Sequence, residues 1–196
     1  EVIRMNAVHS DAPEVGDMIL SLSNQLKYVI DYGEEWVSLG RDFRHLKDYF
    51  YIIEVRFEQQ YELRIDIGEE VDPAWLIPKL SLQPLVENAV QHGLLPKGKG
   101  AVEVSVRRRE DRLVIAVVDD GVGMEPGELE AIRQMLSRKQ APSGSVGMKN
   151  VHERIRSLCG EGYGISIASW PHVGTSVTIE IPVKEALADA ESRNRG

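Results

Sequence analysis

The sequence has little of what marks secreted, membrane-spanning or nucleic-acid-binding proteins. A single cysteine, Cys159, excludes an internal disulfide and a cysteine-rich zinc site. No apolar run approaches the roughly 20 residues needed to cross a bilayer, and no basic-then-apolar signal segment opens the chain. Acidic residues outnumber basic ones by 31 to 23, which gives a net charge of -8 and disfavours a nucleic-acid partner held by a basic surface. We therefore expect a soluble chain in a reducing compartment.

The size and composition fit a globular protein of one or two domains. The chain has 196 residues, of which 42% are apolar and 28% charged. It begins at Glu1 without a methionine, in a pattern that indicates the middle of a helix. We expect it to be a piece of a longer protein.

Helical periodicity dominates the first third. Two apolar stripes recur at spacings of three and four residues, and a start signal at residues 38–42 separates them. The first stripe comprises Val15, Met18, Ile19, Leu22, Leu26, Val29 and Ile30, and the second comprises Phe43, Leu46, Tyr49, Phe50, Ile53 and Phe57. The pattern predicts an antiparallel helical hairpin over residues 1–61, and core packing explains the stripes better than a dimer-forming face.

From residue 63 the period changes to that of strands. Residues 63–67, 102–106 and 177–181 alternate, 165–168 form a weaker strand, and the continuous run 113–118 suits a central strand. Helical patterns cover residues 80–92, 128–139 and 148–158. The order predicts an α+β fold, a two-layer sandwich with helices on one face of the sheet. Residues 184–196 form a short polar tail.

A glycine-rich segment at residues 93–100 does not predict a phosphate-binding P-loop. Gly100 occupies the place of the Ser or Thr that would hold Mg²⁺. The segment also follows a predicted helix and leads into a strand, which reverses the context of a P-loop. Gly121 and Gly123 are not a dinucleotide fingerprint either, because Pro126 occupies the third glycine position.

Four other short segments form a stronger constellation. Asn88 and His92 lie four residues apart, hence on one helix face, and an Asn amide offers an oxygen to a hard cation and N–H donors to phosphate. Asp119 ends an apolar strand, and a carboxylate there accepts from an amino group such as that of adenine.

The remaining segments supply backbone. Gly121 and Gly123 let the chain approach a ligand, Gly147 opens a helix whose free N–H groups favour an anion, and Thr175 follows a glycine at the start of the last strand. Each signal alone is weak, since such residues usually form turns or solvated faces. In this order and on these elements they point together to a nucleotide.

These residues resemble the ATP-binding domain shared by sensor histidine kinases, type II topoisomerases, Hsp90 and MutL, the GHKL or Bergerat-type fold. Residues 85–92 resemble its N box, 119–123 its G1 box, 145–148 its G2 box, and 174–175 its terminal Gly-Thr. The sequence of residues 82–93, together with that of residues 149–155 after the G2 box, is similar to the sequences of LytS/YesM-type bacterial sensor histidine kinases.

The resemblance implies a mixed sheet, an ATP-binding domain at residues 62–183 and a lid at residues 124–143. It implies that Asn88 ligates Mg²⁺, that Asp119 accepts from the adenine amino group, and that Thr175 supports the adenine site. The implied ATP-binding set is Asn88, His92, Asp119, Gly121, Gly123, Gly147, Met148, Lys149 and Thr175. Within this set His92 and Lys149 would contact phosphate.

Two departures from the family pattern stand out. Ser145 replaces the first glycine of the G2 box, and a side chain there weakens or reorients the lid. The phosphorylated histidine of these kinases lies in an Asn-Pro-His-Phe-type motif, which this sequence does not contain. His9 and His45 lack that context, so neither inherits the role.

The resemblance therefore implies the cytoplasmic ATP-binding part of a homodimeric membrane sensor kinase, attached to the membrane only by upstream segments. The parent would transfer the γ-phosphoryl group to a histidine and then to an Asp of a response regulator, whereas the chain alone would bind ATP without labelling itself. Two alternatives stay open. One is a GHKL-type ATPase, although Pro84 occupies the place of its hydrolytic carboxylate and Glu87 is rotated about 100° from Asn88. The other is a non-catalytic nucleotide-binding or dimerisation module.

Overall fold

The computed structural model describes residues 13–30, 33–58, 60–137 and 146–186. Several predictions lie outside these residues, namely the helix expected near Glu1, the lid from residue 138 onward with Ser145, and the tail from residue 187. Among the described residues, no helix is long and apolar enough to span a membrane.

The predicted antiparallel hairpin is present. Helix α1 spans Pro13–Ile30 and helix α2 spans Leu39–Arg56, and the Ser38 side chain caps α2 by accepting from the Arg41 N–H. Asn24 donates to Asp48 at 3.0 Å, and Gln25 donates to the His45 carbonyl at 2.8 Å. The later residue of α1 contacts the earlier residue of α2, so the two helices are antiparallel, as predicted.

A small two-stranded sheet joins the hairpin to the rest of the chain. Strand β1 (Trp36–Ser38), which sequence periodicity does not predict, pairs antiparallel with β3 (Leu76–Pro78). Two hydrogen bonds extend this junction, from the Leu39 N–H to the Trp75 carbonyl and from the Gly40 N–H to the Pro73 carbonyl. The hairpin is thus hydrogen-bonded to the segment that leads into the main helical layer.

The main sheet has five strands and is mixed, as the resemblance implies. In chain order they are β2 (Tyr61–Ile67), β4 (Gly100–Arg109), β5 (Arg112–Asp119), β6 (Gly164–Trp170) and β7 (Gly174–Pro182). Their spatial order is β2-β4-β5-β7-β6, with β2 parallel to β4 and the other pairs antiparallel. The continuous apolar strand β5 is central, as its pattern predicts.

Helices cover one face of this sheet. Helix α3 spans Gln83–Asn88, continues through a π-helical segment at Ala89–Leu94, and ends in the short α4 (Leu95–Lys97). Helix α5 spans Pro126–Ser137 and α6 spans Val146–Cys159. The predicted start of the first of these helices at residue 80 is wrong, because Leu80 has a positive φ of 59° and the helix begins beside Pro84.

The core lies between the sheet and the helices. Alternate residues of β4, β5 and β7 point inward and are buried, which is the expected consequence of the two-residue period of a strand. They meet buried side chains of α3, the π-helical segment and α6, including Leu85, Val86, Val90, Val151 and Ile155. This arrangement is the predicted two-layer α+β sandwich preceded by a helical hairpin.

Candidate nucleotide-binding site

The inner face of the sheet changes from apolar to polar at one end. On the three adjacent strands β5, β7 and β6, one row is apolar and the row two residues further on is polar. The apolar row is Val117, Val177 and Ile167, and the polar row is Asp119, Thr175 and Ser169. Strand register therefore places three oxygen-bearing side chains side by side at the edge of the core.

Asp119 is held by two backbone N–H groups. Its Oδ1 accepts from the Gly121 N–H at 2.9 Å, and its carboxylate also accepts from the backbone N–H of Thr175. The side chain is only 5% exposed, and this burial raises its pKa above the ordinary value for an aspartate. A carboxylate so placed is a poorly solvated acceptor with a fixed direction.

Asp120 has a different environment. Its side chain is exposed, its Oδ1 accepts from the Ala101 N–H at 2.9 Å, and its Oδ2 lies 3.2 Å from Lys97 Nζ. These contacts tie the end of β5 to β4 and to α4. The opposite side-chain directions expected for consecutive strand residues are thus observed, and Asp120 contacts the loop rather than the inner face.

Two glycines let the π-helical segment reach Asp119. A Cβ added at Gly121 would lie 2.4 Å from the Gly93 Cα, and one added at Gly93 would lie 2.5 Å from Asp119 Oδ1. The Val122 N–H also donates to the Gly93 carbonyl at 3.1 Å. A side chain at Gly121 would prevent this contact between two backbones, and its role in shaping the adenine site stays a prediction.

The start of α6 lies beside Asn88. A Cβ added at Gly147 would be 4.0 Å from Asn88 Nδ2 and 3.7 Å from the Pro84 Cβ. The first N–H groups of a helix have no intrahelical acceptor and attract anions. An amide side chain and a helix N-terminus therefore converge at one place.

These groups line a single cavity of about 650 Å³. Seven of the nine predicted residues contribute to its wall, namely Asn88, His92, Asp119, Gly123, Gly147, Met148 and Thr175. Apolar side chains complete the wall, among them Leu85, Val117, Ile132, Met135 and Val177. A volume of this size and a mixed lining are typical of small-molecule sites.

Gly121 and Lys149 do not line this cavity. Gly121 acts one layer behind the wall, through its contact with Gly93. Lys149 is only 4% exposed, and its Nζ lies 3.4 Å from Glu153 on the same helix. The cavity wall gives no support to Lys149 as a phosphate contact, which stays a prediction.

Sequence reasoning missed Ser169. This buried side chain accepts from the Met124 N–H at 2.9 Å and lies 2.9 Å from Thr175 Oγ1, so it joins the predicted lid to the polar row. A signal was available, because Ser169 continues the alternation of Ile165 and Ile167 and so must face the core.

A second polar cluster links the hairpin to α3. Tyr28 donates to the buried Asp42, whose pKa is raised to about 6 chiefly by burial. His45 is 4% exposed, stacks on Tyr28 at 3.9 Å and hydrogen-bonds through Nε2 to Gln83 Oε1. His45 is therefore buried in this cluster and does not line the cavity.

The same cluster fixes Glu87. Gln83 Nε2 donates to Glu87 Oε1 at 2.7 Å, and Glu87 is absent from the cavity wall. In the part of the chain that the structure describes, no group of three or more His, Cys, Asp or Glu side chains could hold a metal ion. Asn88 stays the predicted metal ligand, and a single amide oxygen suits a cation that arrives with a ligand supplying most of its coordination.

The fold is that of histidine kinase catalytic domains. The catalytic domain of histidine kinase ThkA aligns with a TM-score of 0.56 at 14% identity, covering 77% of this chain and 97% of that one. The histidine kinase domain of the Erythrobacter litoralis EL346 blue-light activated histidine kinase aligns with a TM-score of 0.52 at 17% identity, covering 89% and 82%.

Sequence comparison then identifies the family. The chain belongs to the histidine kinase-, DNA gyrase B- and HSP90-like ATPase family, which matches residues 78–185, and a histidine kinase family matches residues 1–61. Sensor histidine kinase YpdA of Escherichia coli (strain K12) is 37% identical over 167 residues, covering 84% of this chain and 28% of that protein. Sensor histidine kinase YesM of Bacillus subtilis (strain 168) is 31% identical over 188 residues, covering 95% and 31%. The chain therefore spans about a third of the length of these relatives.

Proposed function

We propose that the chain is the MgATP-binding catalytic region of a bacterial two-component sensor histidine kinase. The observation that carries the proposal is the single cavity lined by Asn88, Asp119, Gly147 and Thr175. Its wall offers a buried carboxylate for an amino group, and an amide side chain beside a helix N-terminus. An adenine base and a chain of phosphates need these two environments together.

Asn88 is the proposed Mg²⁺ ligand. Mg²⁺ in nucleotide sites takes one or two protein oxygens and completes its shell with phosphate oxygens and water. The half-buried Asn88, the one predicted metal ligand, fits this requirement because its amide reaches the cavity beside Gly147. When bound, the cation supplies neutralisation of phosphate charge.

In the parent kinase, we propose that this region positions ATP so that a histidine nitrogen on a preceding helix attacks the γ-phosphorus. The protein contributes mainly alignment, through Asp119 at the base and the N-terminus of α6 near the phosphates. The phosphoryl group then passes to an Asp of a response regulator. Homodimerisation through residues 1–61, a catalytic domain at residues 62–183 and a cytoplasmic location are parts of the same proposal.

The test is incubation with ATP radiolabelled at the γ-phosphate. We expect no stable label on the 196-residue chain, because it contains no Asn-Pro-His-Phe-type motif. A separate polypeptide that carries the preceding helix with that motif should gain an acid-labile, alkali-stable label when the chain is added. Stable label on His9 or His45 would contradict the proposal, and rapid release of phosphate by the chain alone would favour the ATPase alternative.

A further inference from the structure

Three hydrogen bonds meet at the hydroxyl of Ser169. The Met124 N–H donates to Ser169 Oγ at 2.9 Å, Ser169 Oγ donates to the Gly174 carbonyl at 3.0 Å, and Ser169 Oγ lies 2.9 Å from Thr175 Oγ1. Ser169 is 7% exposed and Thr175 is 8% exposed. Both hydroxyls therefore depend on protein partners rather than on bulk water.

The direction of the third bond follows from counting hydrogens. A serine hydroxyl has one hydrogen and two acceptor lone pairs. A carbonyl oxygen only accepts, so the contact with Gly174 uses the one hydrogen of Ser169. All three bonds exist together only when Thr175 donates its hydrogen to Ser169. The Thr175 oxygen is then left with acceptor lone pairs alone.

We propose that Ser169 selects the nucleobase by holding the Thr175 hydroxyl as an acceptor toward the cavity. The inference rests on the proposed function, since it concerns recognition of the base of a bound nucleoside triphosphate. Thr175 lines the cavity, whereas Ser169 does not, so Ser169 is a positioning residue that acts through its neighbour.

The register of the sheet gives this arrangement its chemical meaning. Asp119 pairs with Thr175 across β5 and β7, so the edge of the core presents a carboxylate and a hydroxyl oxygen next to each other, both as acceptors. A purine with an amino group at its 6-position brings N–H donors to such a pair. A 6-oxo purine brings a carbonyl oxygen instead, which neither group can satisfy.

Loss of Ser169 should relax this selection. In Ser169→Ala the Thr175 hydroxyl has lost its acceptor and is free to turn and donate to a 6-oxo group. The Met124 N–H loses its acceptor in the same variant, and this loss should weaken the binding of ATP and of its 6-oxo analogue equally. The ratio of the two affinities therefore separates base selection from a general loss of structure.

The experiment measures Kd for MgATP and for MgITP by calorimetric titration of the 196-residue chain. ITP differs from ATP in carrying an oxo group at the 6-position of the purine. We expect the ratio Kd(ITP)/Kd(ATP) to exceed 10 in the parent and to fall about five- to tenfold in Ser169→Ala. Ser169→Thr keeps a hydroxyl, so its ratio should return to that of the parent. Ser166→Ala, on the exposed face of β6, should leave the ratio unchanged.

Two further variants keep the test decisive. Thr175→Val should lower the ratio as far as Ser169→Ala does, and the double variant should lower it no further. If Ser169→Ala does not fold by circular dichroism, Ser169→Cys replaces it, because a thiol of similar shape is a weak hydrogen-bonding group.

Three results would overturn the inference. They are a parent ratio near one, an unchanged ratio with both affinities weakened equally, or a failure of Ser169→Thr to restore a lowered ratio. Failure of the parent to bind either nucleotide is a different result, because it contradicts the proposed function itself.

Discussion

Replacing Asp119 by asparagine is the sharpest probe of base recognition. The substitution keeps the shape of the side chain and removes its charge. Asp119 accepts from the N–H groups of Gly121 and Thr175, so the remaining amide oxygen of an asparagine is drawn toward those donors. Its NH₂ group then faces the cavity, where an adenine amino group also donates.

The size of the effect follows from the bond that is lost. A hydrogen bond to a charged acceptor contributes about 1.5 to 3 kcal/mol, so Kd for ATP should rise about 10- to 150-fold. Asp120→Asn is the matched control. Its contacts with Ala101 and Lys97 are exposed, so the change in Kd should stay below about threefold.

The assay is calorimetric titration of both variants with MgATP, with circular dichroism to show that each is folded. Equal losses in the two variants, or a loss confined to Asp120→Asn, would refute the assignment of Asp119 to the base. So would an Asp119→Asn variant that binds ATP as the parent does.

Three further predictions concern charge and backbone. Because burial raises the pKa of Asp119, ATP affinity should begin to fall at a higher pH than protonation of an ordinary aspartate would cause. Titrations from pH 7.5 to 4.5 check this against a pH-independent Asp119→Asn. Because burial raises the pKa of Asp42 to about 6, its stabilising protonated form is present near pH 4 and lost as the pH rises through 6. The free energy of unfolding of the parent relative to Asp42→Asn should therefore decrease by about 2 kcal/mol between pH 4 and pH 7.5 in denaturant titrations, and an increase would contradict the sign. Gly123→Ala should abolish ATP binding or folding, because its φ is +68° and the added Cβ would lie 1.9 Å from the Trp170 carbonyl oxygen. Gly127→Ala is the control, since the added Cβ meets nothing within 4 Å, and it should be neutral in thermal melts and titrations.

The sequence predicts those parts of the fold that depend on local period. The two-residue alternation identifies the strands of the main sheet, and the continuous apolar run identifies β5 as central. Ser38 marks the start of α2 because a cap is a local signal. The sequence motifs predict Asn88, Asp119 and Thr175 as nucleotide-binding residues, and all three lie in the wall of one cavity.

What local pattern does not contain is pairing between distant segments. Strands β1 and β3 have three residues each and are held by a partner about 40 positions away, so neither shows a period of its own. The close approach of Gly93 and Gly121 is a tertiary contact, and the π-helical register at Ala89–Leu94 leaves no signature in apolar spacing. For Lys149, motif position predicts a phosphate contact, and the structure shows a buried side chain whose Nζ lies 3.4 Å from Glu153, so this contact stays a prediction.

The central claim is that this cavity binds ATP together with Mg²⁺ held by Asn88. The most direct measurement is calorimetric titration with ATP, in Mg²⁺ and in EDTA, of the parent, Asn88→Ala and Asn150→Ala. Asn150→Ala is the control, because it removes an exposed asparagine of α6 outside the cavity wall. We expect Mg²⁺ to tighten ATP binding in the parent and in Asn150→Ala, and to have little effect in Asn88→Ala, whose MgATP affinity should be lower by about tenfold or more. An Asn88→Ala variant that binds MgATP as tightly as the parent, with the same dependence on Mg²⁺, would contradict the account.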